Sequence, residues 1–169
     1  FAVIIANENY QNLVSVAHAV ADGQIFKEYC QKTLGIPTLN IKYYENATYG
    51  TMRKAIQNAT ELIDAFGGEA KVLFYYAGHG VPNESDKSAY LIPTDGSDAD
   101  FESAIKLEDL YKKLSLKKSK QVVVILDACF SGSQRDNGML ANARGVKIKP
   151  KETPVSGNLV VLSAASGEE

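Results

Sequence analysis

The chain has 169 residues, 45% hydrophobic and 22% charged, with a formal charge of −2. That length suits a single domain with a substantial core, and Gly and Pro are not in excess, which excludes fibrous and low-complexity classes. A slightly acidic chain argues against nucleic acid as a partner, and no apolar run approaches the roughly 20 residues of a membrane span.

The first seven residues, "FAVIIAN", read as a buried strand. No charged leader, cleavage-type site or initiator Met precedes them, so the sequence reads as an excised domain or processed fragment without a signal peptide. A cytoplasmic location is the default expectation. From Val16 to Leu34, apolar or small residues recur at Val16, Ala19, Val20, Gly23, Phe26, Cys30 and Leu34, which is helical spacing. Gly35 and Pro37 end that helix. "LNIKYYE" (39–45) is a second strand. Residues 48–66 form a second amphipathic helix, with Met52, Ile56, Ala59, Ile63 and Phe66 on one face and Gly67-Gly68 as its stop.

"AKVLFYYAGHG" (70–80) is a third strand that ends on a histidine between two glycines. Residues 81–104 are irregular and rich in Asp, Ser, Pro and Gly, with a short strand at "AYLIP". A third helix over 106–115 uses Leu107, Leu110, Tyr111 and Leu114, and the basic stretch "KKLSLKKSK" (112–120) is its solvated end and the loop beyond. "QVVVILDACFSG" (121–132) is a fourth, strongly apolar strand; a long polar loop (133–157) separates it from a last strand, "NLVVLSAAS" (158–166). This alternation predicts one α/β domain over 1–169: a three-layer sandwich, its mostly parallel sheet covered by helices on both faces.

In such sheets, ligands and catalytic groups gather at the carboxyl ends of the strands, where both His79 and Cys129 fall. Neighbouring parallel strands lie about 4.8 Å apart, so the two side chains can face one gap. An imidazole beside a thiol promotes the thiolate, the nucleophilic form. Gly80 and Gly132 would then admit a substrate backbone, and the amides of Gly80 and Cys129 would face the oxyanion of a tetrahedral intermediate. His18 and Cys30, on the first helix, read as a surface or supporting histidine and a core cysteine. The four His and Cys residues contain no close ligand pair of the zinc type, so no metal is expected from them.

"YYAGHG" (75–80) followed by "VVVILDACFSG" (122–132) resembles the caspase-like cysteine peptidases: caspases, metacaspases, paracaspases and clostripain-like enzymes. His79 and Cys129 are 50 residues apart, matching the spacing of about 50 known for the caspase signature. The resemblance runs from "FAVIIANENY" to "LVVLSAAS". Caspases proper carry a Gln-Ala-Cys-Arg-Gly type signature, whereas Asp127-Ala128-Cys129-Phe130-Ser131-Gly132 is similar to metacaspases and their bacterial relatives.

That resemblance implies a Cys129–His79 dyad with no third side chain required. It also implies a primary pocket built by Asp127 and by Asp22 of the first helix, which selects Arg or Lys before the scissile bond and repels Asp. It implies a protein or peptide substrate, and self-cleavage in the 133–157 loop, with Arg144 and Lys147 as candidate sites. The family's domain continues past the strand matched here, so a small-subunit chain or a further C-terminal segment is expected to complete the substrate groove. No cofactor is required by the sequence; calcium, which many metacaspases need, has candidate oxygens in Asp95, Asp98 and Asp100. The alternatives are a non-catalytic relative that binds a protein partner, or a thiol hydrolase of small amides.

Overall fold

The apolar runs assemble into one sheet. In chain order, β1 (Ala2–Ala6) leads to α1 (Ala19–Lys32), β2 (Ile41–Glu45), α2 (Tyr49–Ala65) and β3 (Lys71–Ala77). Then come β4 (Gly80–Pro82), β5 (Ala89–Leu91), β6 (Ile105–Lys106), α3 (Leu107–Ser115), β7 (Gln121–Asp127) and β8 (Leu159–Ser163). The structure, a computed structural model, describes residues 1–116, 118–128, 130, 154–155 and 157–164. The main sheet has the order β2-β1-β3-β7-β8 with every pairing parallel.

Alternate residues of the strands enter two cores, which makes the molecule three-layered. Val3, Ile5, Phe74, Tyr76, Val124 and Leu126 pack against Met52, Ile56 and Ile63 of α2 and Leu110 and Leu114 of α3. On the other face, Ala2, Ile4, Tyr75 and Ala77 pack against Ala19, Phe26 and Cys30 of α1. The connection from β1 runs outward to β2, whereas β3 connects the opposite way to β7. The crevice between the carboxyl ends of β1 and β3 is therefore the topological switch point, where open α/β sheets hold their ligands.

The predicted elements are present with shorter bounds. α1 begins at Ala19 because His18 is left-handed, with φ 73°. β3 stops at Ala77, because Gly78, at φ 149°, leaves the extended conformation. The short strand expected at "AYLIP" is β5, and β4 and β6 flank it in a second, antiparallel sheet, β4-β5-β6. β4 and β6, three and two residues long, are too short for periodicity to reveal. Asn83 and Asp86 turn the β4–β5 hairpin by accepting bonds from the Ser85 and Ser88 amides, both at 2.9 Å. Among the described residues, no helix is long and apolar enough to cross a membrane.

Candidate active site

Ala77 of β3 is in register with Asp127 of β7, and the Gly78 N–H donates to the Asp127 carbonyl at 3.2 Å. Both strands therefore end at one level beside the switch point. A Cβ on Gly78 would stand 2.6 Å from Tyr10 Oη and 2.8 Å from Tyr76 Oη. Only glycine fits there, by conformation and by space.

His79 is held through its main chain and through its ring. Its N–H donates to Tyr10 Oη at 2.8 Å. Its carbonyl accepts from the Tyr76 hydroxyl at 2.8 Å and from the Ile92 N–H at 3.0 Å. In the ring, Nε2 lies 2.7 Å from the Val14 carbonyl oxygen. A carbonyl only accepts, so Nε2 carries the proton and Nδ1 keeps the lone pair. Among the described residues, the ring's hydrogen bond goes to a main-chain carbonyl and not to a side chain. That partner leaves no trace in residue type, so the sequence has no signal for it.

Burial lowers the His79 pKa from its ordinary 6.5, against opposing contributions from the Val14 bond and the charge of Asp98. The neutral ring is thus favoured, as a proton acceptor requires. Because the folded value lies below the unfolded one, the stability this residue contributes is complete above pH 6.5 and is lost as pH falls through the folded value. NMR titration of the Cys129→Ala protein should place the His79 midpoint below 6.5, with the urea midpoint declining in the same window. A midpoint at or above the ordinary value contradicts this account.

Gly80 begins β4. His79–Ile92 and Asn83–Ser88 are hydrogen-bonded pairs of the β4–β5 ladder. Antiparallel pairs alternate, so Gly80–Leu91 is a non-bonded pair and the Gly80 N–H turns away from β5. That orientation is compatible with an oxyanion donor. The space beside its Cα does not go to an approaching substrate backbone, as its sequence setting suggests. A Cβ there would meet the Phe130 ring, with Cδ1 at 2.7 Å and Cζ at 2.9 Å. Gly80→Ala should cost about 1–3 kcal/mol through overpacking, measured by urea unfolding; unchanged stability would show that the ring moves aside freely.

Ala128 and Phe130, the sequence neighbours of Cys129, are buried. Cys129 itself, Gly132, Arg144 and Lys147 lie outside the described residues.

A second set of groups lies on the α1 face. Tyr75 stacks on Phe26 of α1, with centroids 4.4 Å apart and planes at 17°. Its hydroxyl donates to the Asp127 carboxylate, and its pKa is raised by burial first, then by the charges of Asp127 and Asp22. One carboxylate comes from the first turn of α1 and the other from the last residue of β7. Gly23 makes this possible by seating α1 closely on β1: a Cβ there would lie 2.6 Å from that of Ala6. Two acidic groups from distant segments therefore act on one phenol.

Other titratable groups have local uses. His18 is exposed at the N-cap of α1. Cys30 is fully buried, and burial raises its thiol pKa, as for an inert core cysteine. Asp95 accepts from the Tyr49 N–H at 2.7 Å at the start of α2. Asp100 accepts from Ser103 Oγ at 2.7 Å and the Glu102 N–H at 3.0 Å, while Asp98 acts on His79. Among the described residues, no three His, Cys, Asp or Glu side chains gather as a metal site would require.

The family profile described as the caspase domain, a peptidase family, matches residues 1–169. No curated protein sequence matches the chain. The fold is similar to the crystal structure of protein GSU0716 from Geobacter sulfurreducens, with a TM-score of 0.60 and 19% identity. The match covers 79% of this chain and 51% of that one, so the chain spans about half the length of that neighbour.

Proposed function

Because the chain belongs to the caspase-domain family of cysteine peptidases, we propose that it is an endopeptidase cleaving after Arg or Lys, with Cys129 as nucleophile and His79 as proton carrier. The observation that carries this reading is the register of β3 and β7. Ala77 faces Asp127, and His79 and Cys129 each follow two residues later along the chain. The orientation of the imidazole adds support, since Nε2 is occupied by Val14 and Nδ1 is left to exchange a proton.

The reaction is acyl transfer. The thiolate of Cys129 attacks the scissile carbonyl carbon and forms a C–S bond, while the amides of Gly80 and Cys129 receive the oxyanion. His79, having taken the thiol proton, returns one to the leaving amine as the C–N bond breaks. Water then hydrolyses the thioester. Asp22 and Asp127 supply the negative charge that favours a guanidinium or ammonium before the bond. Arg144 or Lys147 would be the self-cleavage site under the same preference.

A small-subunit segment or chain completes the groove in this reading. Val161 packs toward the α2 and α3 core, so Val160 and Leu162 face the α1 side, where they are 45% and 54% exposed at the sheet edge. Apolar side chains on an edge strand are what such a segment would cover.

The test is fluorogenic peptide cleavage by the full-length protein, with Arg, Lys or Asp before the bond, with and without calcium chelation. Thiol-dependent turnover of the Arg and Lys peptides is expected. No turnover leaves a non-catalytic binding scaffold as the better reading, and preference for Asp overturns the pocket.

A further inference from the structure

We propose that Tyr10 and Tyr76 act as one positioning device for His79, closing a ring of hydrogen bonds through that residue's own main chain; the role rests on the reading of His79 as the proton carrier. Donor rules set the direction of the ring. The His79 amide can only donate, and it reaches Tyr10 Oη at 2.8 Å. The His79 carbonyl can only accept, and it receives the Tyr76 hydroxyl at 2.8 Å. The Ile92 carbonyl, 3.0 Å from the same hydroxyl, shares that proton.

With the Tyr76 proton on a carbonyl, only the Tyr10 proton can bridge the two phenols, which stand 3.4 Å apart. This is the long leg of the ring. Polarity therefore runs from the His79 amide through Tyr10 and Tyr76 back to the His79 carbonyl, an arrangement in which each bond polarises the next. Burial holds both phenols neutral, with the Tyr10 pKa pushed up to about 12 and that of Tyr76 well above its usual value.

Three observations distinguish this pair from ordinary core tyrosines. Gly78 is the residue that admits it, because a Cβ there would strike both hydroxyls. The Tyr10 ring also packs on the imidazole, with centroids 4.6 Å apart and planes at 51°. Finally, the loop bearing Tyr10 bears Val14, whose carbonyl holds Nε2. That loop is pinned by the Gln11 N–H to Thr94 at 2.8 Å and by the Val16 N–H to Glu8 at 3.0 Å. One connection from β1 thus fixes both where the His79 backbone sits and how its ring is turned. Misplacement of a catalytic group by about 1 Å costs roughly 100-fold in rate, so a device fixing the main chain of that group acts on kcat rather than on substrate binding.

The experiment uses Tyr10→Phe, Tyr76→Phe and the double variant, each retaining the ring and losing one or both oxygens. Either single change should lower kcat on the order of tenfold with KM within about twofold. The double variant should be no worse than the poorer single, since one missing oxygen already opens the ring. In the Cys129→Ala protein, independently of turnover, Tyr10→Phe should speed amide exchange at His79. It should also shift the ring's titration midpoint, because both the burial that lowers it and the Val14 bond that raises it depend on the ring's placement, with Asp98, the charged side chain acting on the imidazole, unchanged. Tyr111→Phe, which removes a buried phenol on α3, should leave both His79 signals unchanged. Wild-type kcat in the single variants, multiplied losses in the double, or an unmoved His79 titration would overturn the proposal. If the wild-type protein shows no thiol-dependent turnover, the peptidase reading fails, and the exchange and titration signals still decide whether the tyrosines hold His79.

Discussion

Cys129→Ala should abolish cleavage of Arg- and Lys-containing peptides while leaving the circular dichroism spectrum and thermal midpoint close to those of the wild type. A nucleophile that forms a covalent intermediate cannot be bypassed by the remaining machinery, so the expected loss in kcat is at least about 10³-fold. His79→Ala should lose a similar factor, because in the proposed mechanism the two side chains act as a unit. It should also cost stability, since it empties the space between Tyr10 and Val14 that the imidazole fills. Removing both should be scarcely worse than removing either. Persistent activity in Cys129→Ala would assign the nucleophile to another residue. Loss of fold together with activity would leave its chemical role undecided, and Cys129→Ser, nearly the same shape with a poorer nucleophile, then separates the two effects.

Asp127→Ala should lower kcat/KM for Arg and Lys peptides on the order of 100-fold, the scale of removing one partner from a hydrogen-bonded charge pair. Asp127→Lys should lower it further through repulsion. Asp22→Ala should act in the same direction and less strongly, because Asp127 both bonds Tyr75 and acts on it, whereas Asp22 contributes charge alone. Peptides with an uncharged residue before the bond provide the contrast, since their cleavage should fall far less. A uniform loss across all peptides would show that Asp127 supports the strand end rather than selecting a cation. Tyr75→Phe adds a separate reading. It removes the phenol that Asp127 now bonds, so it should leave the carboxylate more available and keep the proposed preference for Arg.

Much of the fold was legible in the chain. Continuous apolar strands can be buried only in a sheet covered on both faces, so Ala2–Ala6 and Gln121–Asp127 carried their layer assignment in their composition. Of the β4-β5-β6 sheet only β5 was legible, as the short strand at "AYLIP"; β4 and β6 are defined by partners and by the Asn83 and Asp86 turns rather than by a pattern. Gly78 marked a turn, and the tyrosine hydroxyls explain why glycine is required. Gly80 was assigned to a substrate approach, and the Phe130 ring takes the space.

The amino-acid sequence by itself determined the strand–helix alternation, the family, and the pairing of a histidine motif with a cysteine motif at successive strand ends. The alternation follows from local composition and periodicity, and the family from the resemblance carried by the two motifs; neither needs knowledge of distant neighbours. Tertiary structure alone decided what surrounds the histidine, the carbonyl of Val14 on its ring and the hydroxyls of Tyr10 and Tyr76 on its main chain, and, on the α1 face, brought the charges of Asp22 and Asp127 to act on Tyr75. Val14 and Tyr10 reach His79 across 65 and 69 residues of chain. One of those contacts is made by a backbone atom that every residue possesses, and the others by tyrosines whose pattern is that of an ordinary core. Only folding brings such groups together, so only the folded structure reveals them.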